Sequence, residues 1–254
     1  MRLINLVTFF VVGVLTPFSG WAESEVVDHS MWGSLLTEYV DGDGSVDYAR
    51  WKKADSRTLN RYLARMGGVD TGSLGRDENL AFWINVYNAL TVRGILEFYP
   101  LGSIKEKVSR FGGFNIWDDY MVLVEGNEYS LNHIEHKILR VLGDPRIHFA
   151  IVCASRGCPR LRNEAYAAAT VDTQLHDNAL DFFRRAQNFR TDPTRARVYL
   201  SSILKWFGDD FGRDEAAVRV RIATWIVDPD ARELLEQENV KVRYLDYDWT
   251  LNKQ

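Results

Sequence analysis

The chain has 254 residues and a formal net charge of −4, from 31 basic and 35 acidic side chains. It carries no basic run of the kind that binds nucleic acid. Its 46% hydrophobic content and eight tryptophans exclude a disordered chain, and two cysteines are too few for a disulfide-stapled scaffold.

Arg2 and the apolar stretch 3–15 begin the chain, followed by Pro17, Ser19 and the small-residue site Gly20-Trp21-Ala22. This pattern predicts a secretory signal, residues 1–22, cleaved after Ala22. The stretch is shorter than the ~20 residues a membrane-spanning helix needs. Residues 23–254 are then expected to form one globular domain, periplasmic or secreted, with no membrane span after cleavage. The expected partner is a small molecule or peptide and not a nucleic acid.

Met31, Trp32, Leu35, Leu36 and Tyr39 share one helical face over 29–40, with Asp28 as its cap. Residues 41–48 resemble a calcium loop, but the register fails. Gly44 stands at loop position 4 where position 6 requires glycine, and Lys52 stands where a bidentate Glu belongs. A turn and a short strand over 46–48 are expected instead. A helix over 59–66, a Gly-rich loop and a long helix over 77–99, ended by Pro100, follow. Glu125-Gly126-Asn127 turns a hairpin, and Ser130 caps a helix over 131–141.

Asp144-Pro145 makes a turn before the apolar run Ile147-His148-Phe149-Ala150-Ile151-Val152, which predicts a buried strand over 147–153. A helix over 163–188, a strand at 198–200, a helix opened by Ser201 or Ser202, helices over 214–226 and 229–237, and a strand over 240–247 complete the reading. Short strands among long helices, without strand–helix alternation, predict an α+β fold. Its small, mainly antiparallel sheet is packed by several helices.

The two cysteines, Cys153 and Cys158, fall at the end of that apolar run with four residues between them. Backbone amides of a Gly-containing loop, Arg156, Arg160 and a helix starting after Pro159 would all favour thiolate over thiol at Cys158. Cys153 is then the resolving or structural partner. The opposing reading is a structural disulfide between the two, closing a short loop worth roughly 2 kcal/mol.

His133 and His136 share a helical face, and either is a candidate base for the thiol. The zincin pattern is not met, so no metal and no cofactor is expected. His148, inside the apolar run, is either a second base or a core histidine satisfied by a backbone or carboxylate partner. Asn85 and Asn88 sit three apart in an apolar helix, where unpaired amides are costly. They either orient a catalytic group and stabilise an oxyanion, or bond to a neighbouring loop. Asp210 with Trp206 forms a weaker case of the same kind.

Five segments carry a resemblance. They are 79–90 (Asn-Leu-Ala-Phe-Trp-Ile-Asn-Val-Tyr-Asn-Ala-Leu), 130–140, 144–159, 200–211 and 247–252. In this order they resemble the domain of unknown function family number 547. The resemblance implies one shared site containing Cys153, Cys158, Glu135, His136 and His148, and favours His136 over His133. The family also includes intracellular members and chains with glutaredoxin-like domains, which favours thiol chemistry. It implies no established reaction. The expectation is an exported thiol-dependent enzyme performing acyl transfer, hydrolysis or thiol–disulfide exchange. The alternative is a non-catalytic envelope binding domain with the disulfide.

Overall fold

A helix apolar on every side must be enclosed by other elements. Helix α3 (Arg76–Phe98) is such a helix, with a continuous buried stretch from Leu80 to Val92. In the computed structural model, which describes residues 26–109 and 113–254, α3 is the central rod. The signal expected over 1–22 lies outside the described residues.

Helices α1 (Ser30–Tyr39) and α2 (Tyr48–Met66) pack beside α3 through an aromatic seam. Trp32 stacks on Tyr62 at 5.9 Å, and Tyr39 on Trp51 at 4.9 Å. Asp28 accepts from the Ser30 amide, at the start of α1. The strand expected at 46–48 is a single residue, Val46, bridged to Val40 and Lys253. Asp47 ends it by capping α2 through the Arg50 amide. In the preceding turn the Asp41 carboxylate accepts from the amides of Asp43 and Ser45.

After the short helix α4 (Ile116–Asp119), β1 (Met121–Val124) and β2 (Asn127–Ser130) form the expected antiparallel hairpin. Ser130 caps α5 (Leu131–His133) through the His133 amide. The helix continues through a π-helical stretch, Ile134–Leu139, and a 3₁₀ turn, Arg140–Leu142. A π-helical stretch re-aims side chains that a regular helix would stack, and such stretches recur at functional sites.

The second half builds its own hydrophobic cluster. Helix α6 (Val171–Arg184) contributes Phe182 and Phe183. Strand β4 (Arg197–Leu200) lies between β3 (Phe189–Asp192), antiparallel to it, and β5 (Lys241–Tyr244), parallel to it. Helices α7 (Ser202–Trp206, capped by Ser201), α8 (Gly208–Phe211), α9 (Glu215–Ala223) and α10 (Pro229–Glu236) complete the cluster. The fold is α+β, with a hairpin and a separate three-stranded mixed sheet. No described helix is long and apolar enough to cross a membrane.

Two expected elements differ. The helix expected over 163–188 begins only at Val171. The Asn85 amide holds the Tyr166 backbone at both N–H and C=O, so the alanine-rich stretch before it is fixed as a loop by tertiary bonds. The run at 147–153 is not a strand. Its first part is a 3₁₀ helix, Pro145–Phe149, and the rest is irregular buried chain.

Candidate functional site

The segment that delivers the thiols is shaped by polar side chains. Asp144 accepts from the Arg146 amide with Pro145 in the first turn, which starts the 3₁₀ helix. Asn88 then takes over: its Nδ2 donates to the Ala150 carbonyl at 3.0 Å, and the Val152 amide donates to its Oδ1 at 2.9 Å. Ala154 is buried in the left-handed region, φ +56°, a conformation that costs a non-glycine residue about 1 kcal/mol. The C-terminal segment holds it there. Asn252 N–H donates to the Ala154 carbonyl, Arg156 N–H to Thr250, and Gly157 N–H to Asp248. A Cβ on Gly157 would stand 2.9 Å from the Asp248 nitrogen, so only glycine admits this approach.

This loop brings the sulfurs into one hydrogen-bonded group. The Cys153 amide donates to Cys158 Sγ at 2.8 Å. Cys153 Sγ lies 2.9 Å from Ser155 Oγ and 3.0 Å from Tyr247 Oη. Burial opposes ionisation of Cys158, but hydrogen bonds from the Cys153 thiol, the Tyr247 hydroxyl and nearby amides outweigh it and hold this thiol below its ordinary value. Burial, reinforced by its bond to Cys158, pushes the Cys153 thiol well up. Of the two, Cys158 is therefore the thiol that ionises more readily, and Cys153 the one that keeps its proton.

Of the expected sources of this bias the loop amides act on Cys158, and the helix dipole and Arg160 do not. No helix starts after Pro159, so no helix dipole acts on Cys158. Arg160 is held by Asp177 at 2.6 Å. Both cysteines are free, without the disulfide weighed from the sequence.

The sulfurs line a cavity of about 200 Å³ together with Glu135, His136 and His148. His148 is buried and stacks on Phe207 at 4.2 Å. Its Nε2 lies 2.7 Å from Asp210 Oδ2. A carboxylate with an arginine partner accepts only, so this ring carries its proton on Nε2 and keeps a lone pair on Nδ1. Arg140 supplies that partner, reaching both Asp210 oxygens at 2.6 and 2.7 Å. Burial holds the His148 imidazole down at about 4, so it is neutral.

The same arginine reaches His136 Nδ1 at 3.2 Å. Guanidinium donates only, so Nδ1 accepts and the His136 proton sits on Nε2. Burial and then the Arg140 charge lower this imidazole too. His136 is thus a neutral donor, in place of the base expected from sequence. Burial pushes Glu135 up to about 7, and its Oε2 takes a 3.2 Å bond from the Tyr87 hydroxyl. A carboxyl in that range exchanges protons at neutral pH.

Of the residues singled out in the sequence, Cys153, Cys158, Glu135, His136, His148 and Trp206 meet at this cavity, with Asp210 bonded to His148. Asn85 and Asn88 do not. Both ends of each amide bond to loop backbone, which leaves neither free to stabilise an oxyanion. His133 turns away and packs edge-on against Tyr129 at 5.1 Å. Among the described residues, no imidazole hydrogen-bonds either sulfur. Tyr87, Arg140 and Tyr247 carry no distinctive local pattern and were not singled out. The signal that points to each is its place in a family motif: Tyr87 in 79–90, Arg140 in 130–140 and Tyr247 in 247–252.

No curated protein and no solved structure matches the chain. Residues 71–183 match the family model described as Protein of unknown function, DUF547. The segments 200–211 and 247–252 lie beyond the match, although Phe207 and Tyr247 line the cavity. The matched part bears both thiols, Glu135, His136 and His148, and the model it matches is that of the family the sequence motifs resemble.

Proposed function

We propose that the protein is a thiol-dependent enzyme of acyl transfer or hydrolysis, with Cys158 as nucleophile. The observation that carries this is the Cys158 sulfur in a cavity wall, accepting from the Cys153 amide and kept below its ordinary thiol range. A thiolate held by fixed donors is an activated nucleophile without needing a histidine bonded to it.

In this reading the Cys158 thiolate attacks a carbonyl carbon. A C–S bond forms as the carbonyl π electrons move to oxygen, where the His136 Nε2–H supplies a donor. Collapse expels the leaving group, which takes the Glu135 proton, and leaves a thioester on Cys158. Water then gives a proton to the Glu135 carboxylate and its oxygen to the acyl carbon. The acid departs and the thiolate returns. His148 Nδ1 accepts a hydrogen bond from that water and orients it. With the signal read over residues 1–22, the setting we propose is outside the cytosol.

The test has two readouts on the full chain. Iodoacetamide at neutral pH should label wild-type and Cys153→Ser protein and spare Cys158→Ser. A panel of p-nitrophenyl esters should leave an acyl mass increment that Cys158→Ser loses. Absence of labelling at both thiols in folded protein would overturn the reading.

A further inference from the structure

We propose that this cavity receives an ammonium group, so that the acyl compound it processes carries a cationic, amine-derived end. As a statement about substrate this rests on the thiol reading; as a statement about binding it stands alone.

The walls supply the first half of the argument. Trp206, Tyr247 and Trp249 form one aromatic group, with centroids 4.9 Å apart for Trp206 and Tyr247, 5.8 Å for Trp206 and Trp249, and 4.6 Å for Tyr247 and Trp249. Phe207 and Trp117 extend the lining. Aromatic faces carry partial negative charge and attract cations, tryptophan most strongly. Trp249 already does so within the molecule, with the Lys105 ammonium 4.8 Å from its ring centroid.

Charge supplies the second half. Glu135 is nine-tenths buried, and the Tyr87 hydroxyl is its one side-chain hydrogen-bond partner among the described residues. Among the described residues no lysine or arginine lines the cavity. The Arg140 guanidinium is committed to Asp210 and His136. The cavity thus holds two acidic groups, Glu135 and Cys158; Arg140 acts on Glu135 only through space, and no described cation hydrogen-bonds either group. With a neutral occupant Glu135 relieves its burial by holding a proton, whereas an ammonium group gives the ionised carboxylate a counter-charge.

Size agrees. An apolar cavity of about 150 Å³ accepts benzene, and this one, at about 200 Å³, has room for a trimethylammonium head.

Choline and its uncharged isostere 3,3-dimethyl-1-butanol test the claim. Binding to the full chain is followed by tryptophan fluorescence and calorimetry. Choline should bind at least about tenfold more tightly than the isostere. Glu135→Gln, which keeps the Tyr87 contact, should reduce that preference below about threefold. Trp206 is 46% exposed, so Trp206→Ala should leave thermal unfolding unchanged and weaken choline binding several-fold.

The inference is overturned if neither compound binds, if the isostere binds as tightly, or if the preference survives Glu135→Gln. Choline selectivity without any acyl-enzyme would sink the thiol reading and leave the cation site. Acyl-enzyme formation without choline selectivity would do the reverse.

Discussion

Asn88→Ala separates a scaffolding amide from one facing a substrate. The side chain is 2% exposed, and its two bonds hold the chain immediately before Cys153. Truncation leaves the Val152 N–H and the Ala150 carbonyl without partners in a dry interior. Each unsatisfied group costs about 1–3 kcal/mol, so about 4 kcal/mol is expected in total. In a chain of this size that lowers Tm by about 8–16 °C, a large part of a typical 5–15 kcal/mol stability. Urea unfolding followed by tryptophan fluorescence measures it. Thiol labelling should become faster and less selective, because the loop that places the sulfurs loosens. A stability within about 1 kcal/mol of wild type, combined with lost turnover, would refute the argument and return Asn88 to the reaction centre.

Three further outcomes follow from the site. Tyr247→Phe removes a donor to the sulfur pair; a hydrogen bond to a charged group is worth about 1.5 kcal/mol or more, so iodoacetamide labelling of Cys158 near pH 7 should slow about tenfold. Glu135 is raised from 4.5 to about 7 in the folded chain, so its contribution is fully present below pH 4.5 and lost as pH rises through about 7. Glu135→Gln should therefore match wild type at pH 4 and exceed it by about 3 kcal/mol at pH 8 in urea unfolding, and a flat difference across that range would contradict burial as the cause. Nitrogen-15 NMR should find His148 neutral through pH 5–8 and His136 neutral at pH 7–8, each with the proton on Nε2, and a doubly protonated His148 at pH 6 would break the Arg140–Asp210 argument.

Local signals carried far into this fold. The turn residues of the hairpin, the Ser130 and Ser201 caps and the unbroken apolar character of α3 are sequence properties, and the elements stand where those properties put them. The strand expected over 147–153 is absent because five apolar residues around one histidine satisfy a buried strand, a 3₁₀ turn or an enclosed loop equally. The decision lay with Asn88, sixty residues away, which occupies the Ala150 carbonyl and the Val152 amide that a ladder would have used. Asn85 settled the 163–170 segment in the same manner.

At the site, residue types and spacing found the sulfurs, the imidazoles and the buried carboxyl. They could not assign roles, because Arg140 sets the tautomer of one histidine directly and of the other through Asp210, and such a chain has no linear pattern.

The tail of the polypeptide, residues 245–254, weaves back across the thiol loop and reaches Val46. Anyone expressing residues 71–183 as an excised module would obtain two sulfurs without Asp210, Tyr247 or the Trp206 and Trp249 rings. Such a fragment would have a half-open trough where the whole chain has a walled chamber. Four rings of the cavity wall, Trp206, Phe207, Tyr247 and Trp249, are therefore supplied by the last fifty residues, downstream of the part that matches the family model.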